Sequence, residues 1–212
     1  MRFPGQFPEL SEARRRRSLD RTLARNPAAP EFRVFAYGSL IWDPGFRFVE
    51  VAAAILPDYH RSFCVWTVLA RGTPARPGLA AGLRRDPVAT PGAGCKGLLY
   101  RLDPATLARD LVALWRREMS TGIYLPRWVR VETAAGQADA LAFVVEPRHP
   151  QFAADLPLAE RARIIAGAAG KLGSARDYLA KLVGHLARHD IADADLSILL
   201  SRVDQAPFRR DT

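Results

Sequence analysis

The organisation of the chain depends on one stretch, Arg33-Val34-Phe35-Ala36-Tyr37-Gly38-Ser39-Leu40-Ile41-Trp42-Asp43-Pro44-Gly45-Phe46. It opens as a short apolar strand, because Val34, Phe35 and Tyr37 favour β-structure. The strand breaks at Gly38-Ser39, where glycine allows a sharp turn or the close approach of a ligand. Asp43-Pro44-Gly45 closes the segment with turn residues. A buried strand that leads into a loop of small residues can aim backbone N–H groups at an anion such as a carboxylate.

Four further strands are predicted after this stretch, with segments rich in glycine and proline between them and no helix. They cover Phe48–Leu56, Arg61–Leu69, Leu79–Leu83 and Lys96–Leu102. Consecutive short strands joined by turns, such as the one at Pro91-Gly92, favour an antiparallel or mixed sheet closed as a barrel. The sequence contains neither GxGxxG nor GxxxxGKS/T, which argues against a doubly wound nucleotide-binding fold.

The pattern then changes to mainly helical. Asp103-Pro104 is typical of an N-cap followed by proline at the first helical position, so a helix is predicted from Pro104 to about Met119. Two strands and three helices are predicted after it, at Arg127–Thr133, Ala138–Val145, Leu158–Ala169, Ser174–His189 and Asp193–Val203. The sequence therefore predicts an α+β fold, a small mixed or antiparallel β-barrel with flanking helices and a helical C-terminal part.

The formal net charge of +9 over 212 residues comes almost entirely from arginine. Residues 1–30 hold seven arginines against three acidic residues, framed by four prolines. We expect these residues to form a basic extension, flexible or loosely docked, and residues 31–205 to form a single domain. The charge would suit a nucleic-acid-binding protein. The remaining basic residues form no evident stripe, however, so a generally basic surface is the better interpretation.

Several classes of protein are disfavoured by what the sequence lacks. No apolar run approaches the roughly 18–20 residues needed to cross a bilayer, and the N-terminus has no apolar signal-peptide core. Cys64 and Cys95 are too few for a disulfide framework, and no Cys/His cluster has the spacing of a metal site. We expect a cytoplasmic protein, a monomer, that needs no metal or cofactor.

The predicted helix after Pro104 carries a candidate catalytic carboxylate, Glu118. At 100° per residue, Glu118 lies about 20° from Leu107 and from Leu111 in projection, and therefore on the apolar face of the helix. Desolvation and the negative end of the helix dipole both raise the pKa of such a carboxyl group, which suits general acid/base catalysis. The alternative is that Glu118 forms an ion pair with Arg116, Arg117 or Arg127.

The opening stretch at Tyr37–Phe46 and the segment around Glu118 together resemble the ChaC-type γ-glutamylcyclotransferases. The resemblance rests on Tyr37-Gly38-Ser39-Leu40-Ile41-Trp42 followed by Pro44-Gly45-Phe46, and on Arg117-Glu118-Met119 followed by Gly122 and Tyr124. Four supporting blocks bring the similar part of the chain to about residues 32–200; they are His60–Phe63, Arg71–Gly78, Gly97–Leu102 and Ser174–Leu179. Ala36, where some members carry glycine, departs from the family pattern, as does the N-terminal extension.

The resemblance implies a γ-glutamylcyclotransferase-like barrel and a carbon–nitrogen lyase of the amidine-lyase type that acts on glutathione. Such an enzyme cyclises the γ-glutamyl group, releasing 5-oxoproline and Cys-Gly. It implies Glu118 as general base and then general acid, with no metal. The substrate-binding residues are expected at Val34, Phe35, Ala36, Tyr37, Gly38, Ser39 and Leu40, with Tyr124, Arg71 and Arg76 as additional candidates.

Two alternatives stay open at this point, and two further possibilities are disfavoured. The chain could be a non-catalytic protein of the same fold that binds anions or nucleic acid, or a cyclotransferase for other γ-glutamyl amines. Ser39 could be a hydrolase nucleophile, although its surroundings lack the G-x-S-x-G pattern. His185 and His189 stand four residues apart on a predicted helix, but the glutamate of HExxH and a third ligand are missing. An enzyme acting on glutathione, without contact to membranes or nucleic acid, is the favoured hypothesis.

Overall fold

The computed structural model describes residues 7–85 and 93–206 of the chain. The helices are α1 to α5, at Glu12–Leu23, Leu107–Glu118, Leu158–Gly167, Ala175–Ala187 and Ala194–Gln205. The strands are β1 to β9, at Arg33–Ala36, Phe48–Pro57, Tyr59–Thr67, Gly78–Arg85, Gly94–Leu102, Tyr124–Thr133, Gly136–Val145, Ala169–Gly170 and Gly173–Ser174. None of the described helices has the length and the apolar character that a membrane span requires. The turn expected at Pro91-Gly92 lies outside the described residues, as does the start of the extension.

Five of the strands close into a barrel. They are hydrogen bonded in the order β1-β5-β2-β6-β7, and β7 pairs in parallel with β1 at Leu141 and Val34, which closes the ring. The other neighbours in the ring are antiparallel, so the sheet is mixed. Strand β4 joins β7 in parallel at Leu83 and Val144, and β3 pairs with β4. The predicted α+β fold with a small mixed barrel is confirmed.

The chain divides into two compact units. Among the described residues, the barrel unit comprises residues 8–61, 83–85 and 93–146, and the helical unit comprises residue 7 and residues 62–82 and 147–206. In the helical unit, α5 packs against α3 and α4, and Phe63 meets Tyr178 of α4 edge to face, with ring centroids 5.7 Å apart. The short hairpin β8–β9 leads into α4. The predicted division into residues 1–30 and 31–205 stays a prediction.

Helix α1 lies within the barrel unit, beside α2. The hydroxyl of Ser11 caps it by accepting from the N–H of Arg14 at 3.3 Å. Leu19 on its inner face keeps 4% of its surface exposed. The indole N–H groups of Trp115 and Trp128 donate to Ser18 Oγ and Thr22 O, at 3.4 and 3.0 Å. The extension therefore contributes a packed helix next to the helix that carries Glu118.

The helix that carries Glu118 begins later than predicted. Asp103 Oδ1 accepts a hydrogen bond from the N–H of Ala105 at 2.9 Å, so the aspartate closes a local turn instead of capping the helix. Regular helix starts at Leu107 and ends at Glu118. The C-terminal end, where the functional residue was predicted, is close to the expected position.

The barrel interior is filled by apolar side chains from the inward-facing positions of its strands. The cluster includes Phe35, Leu56, Leu99, Val131 and Val144. Gly97 on β5 allows the close approach of β1, since a Cβ atom there would lie 2.3 Å from the carbonyl oxygen of Ala36 and 2.8 Å from the ring of Phe35. The contact lies at the last residue of β1, directly before the Tyr-Gly-Ser-Leu segment.

We predict that Gly97→Ala destabilises the protein by about 3 kcal/mol, because the added methyl group overlaps backbone that cannot move without opening the β1–β5 pair. Chemical denaturation monitored by circular dichroism measures this change. Gly184→Ala is the matched control: no atom lies within 4 Å of a Cβ at this helical position, so stability should rise by roughly 0.5–1 kcal/mol. Equal effects of the two substitutions would contradict the proposed tight contact.

Candidate active site

Strand β1 ends at Ala36, and the chain then forms the loop Tyr37–Asp43, which we call the site loop. It contains a short 3₁₀ helix, Ser39–Ile41. The carbonyls of Gly38 and Ser39 accept from the N–H groups of Ile41, Trp42 and Asp43 at 3.0–3.2 Å. In contrast, the N–H groups of Gly38, Ser39 and Leu40 donate to no backbone carbonyl of the described residues. Three successive donors of this kind suit a carboxylate or a developing oxyanion.

Three side-chain hydrogen bonds hold the site loop in place. The hydroxyl of Tyr37 donates to the carbonyl of Phe143 on β7 at 2.7 Å, and Arg61 of β3 donates to the carbonyl of Tyr37 at 2.7 Å. At the other end, the hydroxyl of Tyr100 donates to the carbonyl of Ile41 at 3.1 Å. Burial raises the pKa of Tyr100 to about 12, so its hydroxyl stays protonated at neutral pH.

Arg117, in the last turn of α2, contacts the site loop through both terminal nitrogens of its guanidinium. Nη1 donates to the carbonyl of Asp43 at 2.6 Å and lies 3.3 Å from its carboxylate, and Nη2 donates to Ser39 Oγ at 2.8 Å. The third nitrogen, Nε, lies 3.2 Å from Oε1 of Glu118. One guanidinium thus contacts the site loop and the candidate catalytic carboxylate together.

Glu118 is largely removed from water, with 13% of its side chain exposed. Burial raises the pKa of this carboxyl group, and the guanidinium of Arg117 opposes the rise without cancelling it. The sequence offered either a pKa-shifted carboxyl group or an ion pair, and the structure contains both. Because the net direction is upward, Glu118 can change its protonation state closer to neutral pH than an ordinary glutamate.

The other end of α2 is fixed to the chain that follows the site loop. Asp110 accepts from the N–H of Arg47 at 2.9 Å and from the hydroxyl of Thr106 at 2.6 Å, and Arg109 pairs with it at 2.9 Å. Burial alone would raise the pKa of Asp110, but these hydrogen bonds outweigh it and lower the pKa. Helix α2 is therefore attached at both ends to residues 39–47.

The predicted site residues occupy different parts of the molecule. Glu118 and the segment Tyr37–Leu40 lie together through Arg117. Val34, Phe35 and Ala36 are fully buried in β1, and their direct contact with a substrate stays a prediction. Tyr124 is the half-buried first residue of β6. It follows Gly122, whose φ of +85° favours glycine and which the side chain of Leu10 covers.

Two of the predicted substrate-binding residues belong to the helical unit. Arg71 donates to the carbonyl of Leu172, and its guanidinium carbon lies 5.4 Å from the ring centroid of Tyr178. Its backbone N–H donates to Thr67 Oγ1 at 3.1 Å. Arg76 is exposed, on the turn closed by Thr73. A role for Arg71 or Arg76 in orienting the substrate stays a prediction.

Three residues that fix the site loop were not predicted from the sequence, namely Arg61, Tyr100 and Asp43. Arg61 had a usable signal in the sequence, because it is the one arginine of strand β3, which continues through Phe63, Cys64 and Val65. In the structure only 8% of its surface is exposed. A buried arginine needs acceptors, and a loop carbonyl is a suitable one. Among the described residues, no group of three or more His, Cys, Asp or Glu side chains could hold a metal ion.

Comparisons with known proteins place the chain in a family. The family model of ChaC-like proteins matches residues 32–206. The chain is 37% identical over 194 residues to a glutathione-specific γ-glutamylcyclotransferase of Escherichia coli K12, covering 91% of this chain and 81% of that protein. It is 31% identical over 157 residues to γ-glutamylcyclotransferase 2-1 of Arabidopsis thaliana, covering 70% of this chain and 71% of that one. The chain belongs to the ChaC family, which confirms the resemblance found in its sequence.

Solved structures agree on the fold. A glutathione-specific γ-glutamylcyclotransferase from yeast superimposes with a TM-score of 0.75 at 24% identity, over 82% of this chain and 96% of that one. YkqA from Bacillus subtilis superimposes with a TM-score of 0.52 at 19% identity, over 90% of this chain and 60% of that one. The fold of this chain is thus one found in solved structures.

We predict that Glu118→Gln stabilises the protein increasingly as pH rises. The pKa of Glu118 is higher in the folded than in the unfolded chain, so the folded state binds more protons between the two values. The stability of the wild type therefore falls with pH from about the ordinary value of 4.5 up to the folded-state pKa. Thermal unfolding of both proteins between pH 4 and 9 measures this difference. A constant difference across that range would argue against a raised pKa.

Proposed function

We propose that the protein is a glutathione-specific γ-glutamylcyclotransferase, which cyclises the γ-glutamyl group and releases 5-oxoproline and Cys-Gly. Family membership and 37% identity to the Escherichia coli enzyme support the reaction. The observation in this chain that supports the proposal is the arrangement around Glu118. A buried carboxyl group with a raised pKa, Glu118, is joined through Arg117 to the site loop, where three successive N–H groups donate to no backbone carbonyl of the described residues.

The reaction requires the protein mainly to position the substrate and to transfer protons. In a γ-glutamyl amide, the free α-amine can reach its own γ-carbonyl carbon and close a five-membered ring, so the attack is intramolecular. The new C–N bond forms as the carbonyl oxygen gains negative charge, and the bond to the cysteine nitrogen then breaks. The leaving nitrogen takes up the protons that the attacking nitrogen gives up.

Each step has a candidate group in the site. As a carboxylate, Glu118 accepts a proton from the α-ammonium group, and as the resulting acid it protonates the leaving nitrogen. The N–H groups of Gly38, Ser39 and Leu40 are suited to the substrate α-carboxylate and to the oxygen that gains charge. Tyr124 is a further candidate for contact with the γ-glutamyl part.

Ser39 fits a binding role better than that of a nucleophile. Its Oγ accepts a hydrogen bond from the guanidinium of Arg117 at 2.8 Å. A guanidinium stays protonated in proteins and cannot remove a proton from the hydroxyl group, whereas a serine nucleophile is activated by a neighbouring base. The contact therefore supports cyclisation by the substrate's own amine over hydrolysis through Ser39.

We predict that Glu118→Gln lowers kcat with glutathione by roughly 10²–10⁴-fold, the usual contribution of a general acid/base. The assay incubates the purified protein with reduced glutathione and separates 5-oxoproline, Cys-Gly and free glutamate by chromatography. Glu132→Gln is the control, because Glu132 is an exposed glutamate of β6 in the same unit.

The products distinguish the remaining alternatives. Release of 5-oxoproline and Cys-Gly by the wild type, lost in a folded Glu118→Gln variant, supports both the reaction and the role of Glu118. Free glutamate in place of 5-oxoproline would indicate hydrolysis and return Ser39 to consideration. If a folded wild type turned over neither glutathione nor other γ-glutamyl amines, the non-catalytic binding hypothesis would replace the proposal. In that case, salt-dependent retention of nucleic acid should be measured next.

A further inference from the structure

We propose that Arg117 is a positioning residue, which holds the site loop and the carboxylate of Glu118 in one fixed arrangement. This inference rests on the proposed function of the site but concerns a residue to which that function assigns no chemical step. Arginine is suited to the task because its guanidinium is planar and carries five N–H donors in a fixed geometry. In this chain all three of its nitrogens are engaged.

The contacts of the Arg117 guanidinium differ in length. The two shortest contacts are with the site loop, 2.6 Å to the carbonyl of Asp43 and 2.8 Å to Ser39 Oγ, while the carboxylate of Asp43 lies farther away at 3.3 Å. The contact with Glu118 is longer, 3.2 Å from Nε to Oε1. Charge-assisted N–H···O bonds usually measure about 2.7–2.9 Å. The guanidinium of Arg117 is therefore held mainly by acceptors of the site loop, and Glu118 contacts a cation that these acceptors already fix.

This ranking has a consequence for the protonation of Glu118. A guanidinium free to close on the carboxylate would stabilise its charge more strongly and lower its pKa further. Held by the loop, Arg117 offsets only part of the effect of burial, and the pKa of Glu118 stays raised. A group that must be both base and acid benefits from that intermediate position.

Among the described residues, the charged groups near Arg117 and Glu118 have distinct orientations. Within its own helix, Arg117 is the charge that shifts its pKa. From the site loop, the carboxylate of Asp43 reaches the same guanidinium at 3.3 Å and is 68% exposed. Arg116, the neighbour of Arg117 in sequence, points away to Glu12 on α1, at 3.3 Å, with 63% of its side chain exposed.

The test measures the protonation of Glu118 directly, without substrate. The protein is labelled with ¹³C at the glutamate carboxyl carbons and titrated by NMR, and Glu118→Gln assigns the resonance. We expect Arg117→Gln to move the titration of Glu118 to higher pH, because burial then acts without an opposing charge. Arg116→Gln is the matched control and should leave it unchanged, since this exposed cation does not face Glu118.

Activity with glutathione adds the positional part of the test. We expect Arg117→Gln to lower kcat/KM at pH 7 by roughly tenfold or more and to shift the acidic limb of its pH profile upward. Arg117→Lys keeps a cation near Glu118 but cannot bond to three acceptors in one plane. It should leave the titration near that of the wild type while lowering kcat.

Two results would overturn the inference. One is a titration of Glu118 that is the same in the wild type and in a folded Arg117→Gln variant, or that moves equally in Arg116→Gln. The other is an Arg117→Lys variant with wild-type kcat, which would mean that charge alone suffices and that the geometry of the fork is unimportant. A wild type without activity would refute the proposed function, but the NMR titration would still decide the placement of Arg117.

Discussion

The arrangement of the site depends on one guanidinium, that of Arg117, which contacts Ser39, Asp43 and Glu118 together. Arg117 leaves the last turn of α2, where the unpaired carbonyls of a helix end favour a cation. Its two terminal nitrogens bind the site loop, and Nε faces Glu118. Because Arg117 and Glu118 are adjacent in sequence, a contact made by the arginine with the loop also sets the distance from the loop to the carboxylate. Helix and loop are thereby fixed as one body.

The barrel supplies the opposite side of that arrangement. Tyr37, Arg61 and Tyr100 hold the backbone at the two ends of the site loop, and Gly97 lets β5 approach the end of β1. With its carbonyls occupied, the loop keeps its successive amide N–H groups in one orientation. Donors that need no rearrangement as charge develops are worth more than flexible ones, which is the basis of oxyanion stabilisation. The close approach at Gly97 and the hydrogen bond of Tyr37 to β7 thus support the site loop as well as the core.

Much of the fold and part of the site could be predicted from the sequence. The features that could not be predicted depend on the hydrogen-bond partner that a side chain finds in the folded protein. The order of elements follows from β-formers, turn residues and helical periodicity, and the partial burial of Glu118 follows from its phase relative to Leu111. The contacts of the Arg117 guanidinium with the site loop cannot be predicted from helical periodicity, because their acceptors lie 74 and 78 residues away in the chain. Asp103 kept its hydrogen-bonding role but used it in a turn, which moved the helix start to Leu107.

A single carboxyl group that acts as base and then as acid must avoid two extremes. Full exposure would leave Glu118 a weak base at neutral pH, and burial without a cation would keep it protonated, so that it could not accept the first proton. In this chain burial sets the upward direction, and an arginine restrained by the site loop limits the extent. The contacts that hold the amide N–H groups of the site loop therefore also influence the pKa of Glu118, the proposed acid/base group. It follows that the geometry of the loop and the protonation of Glu118 are coupled properties of one site.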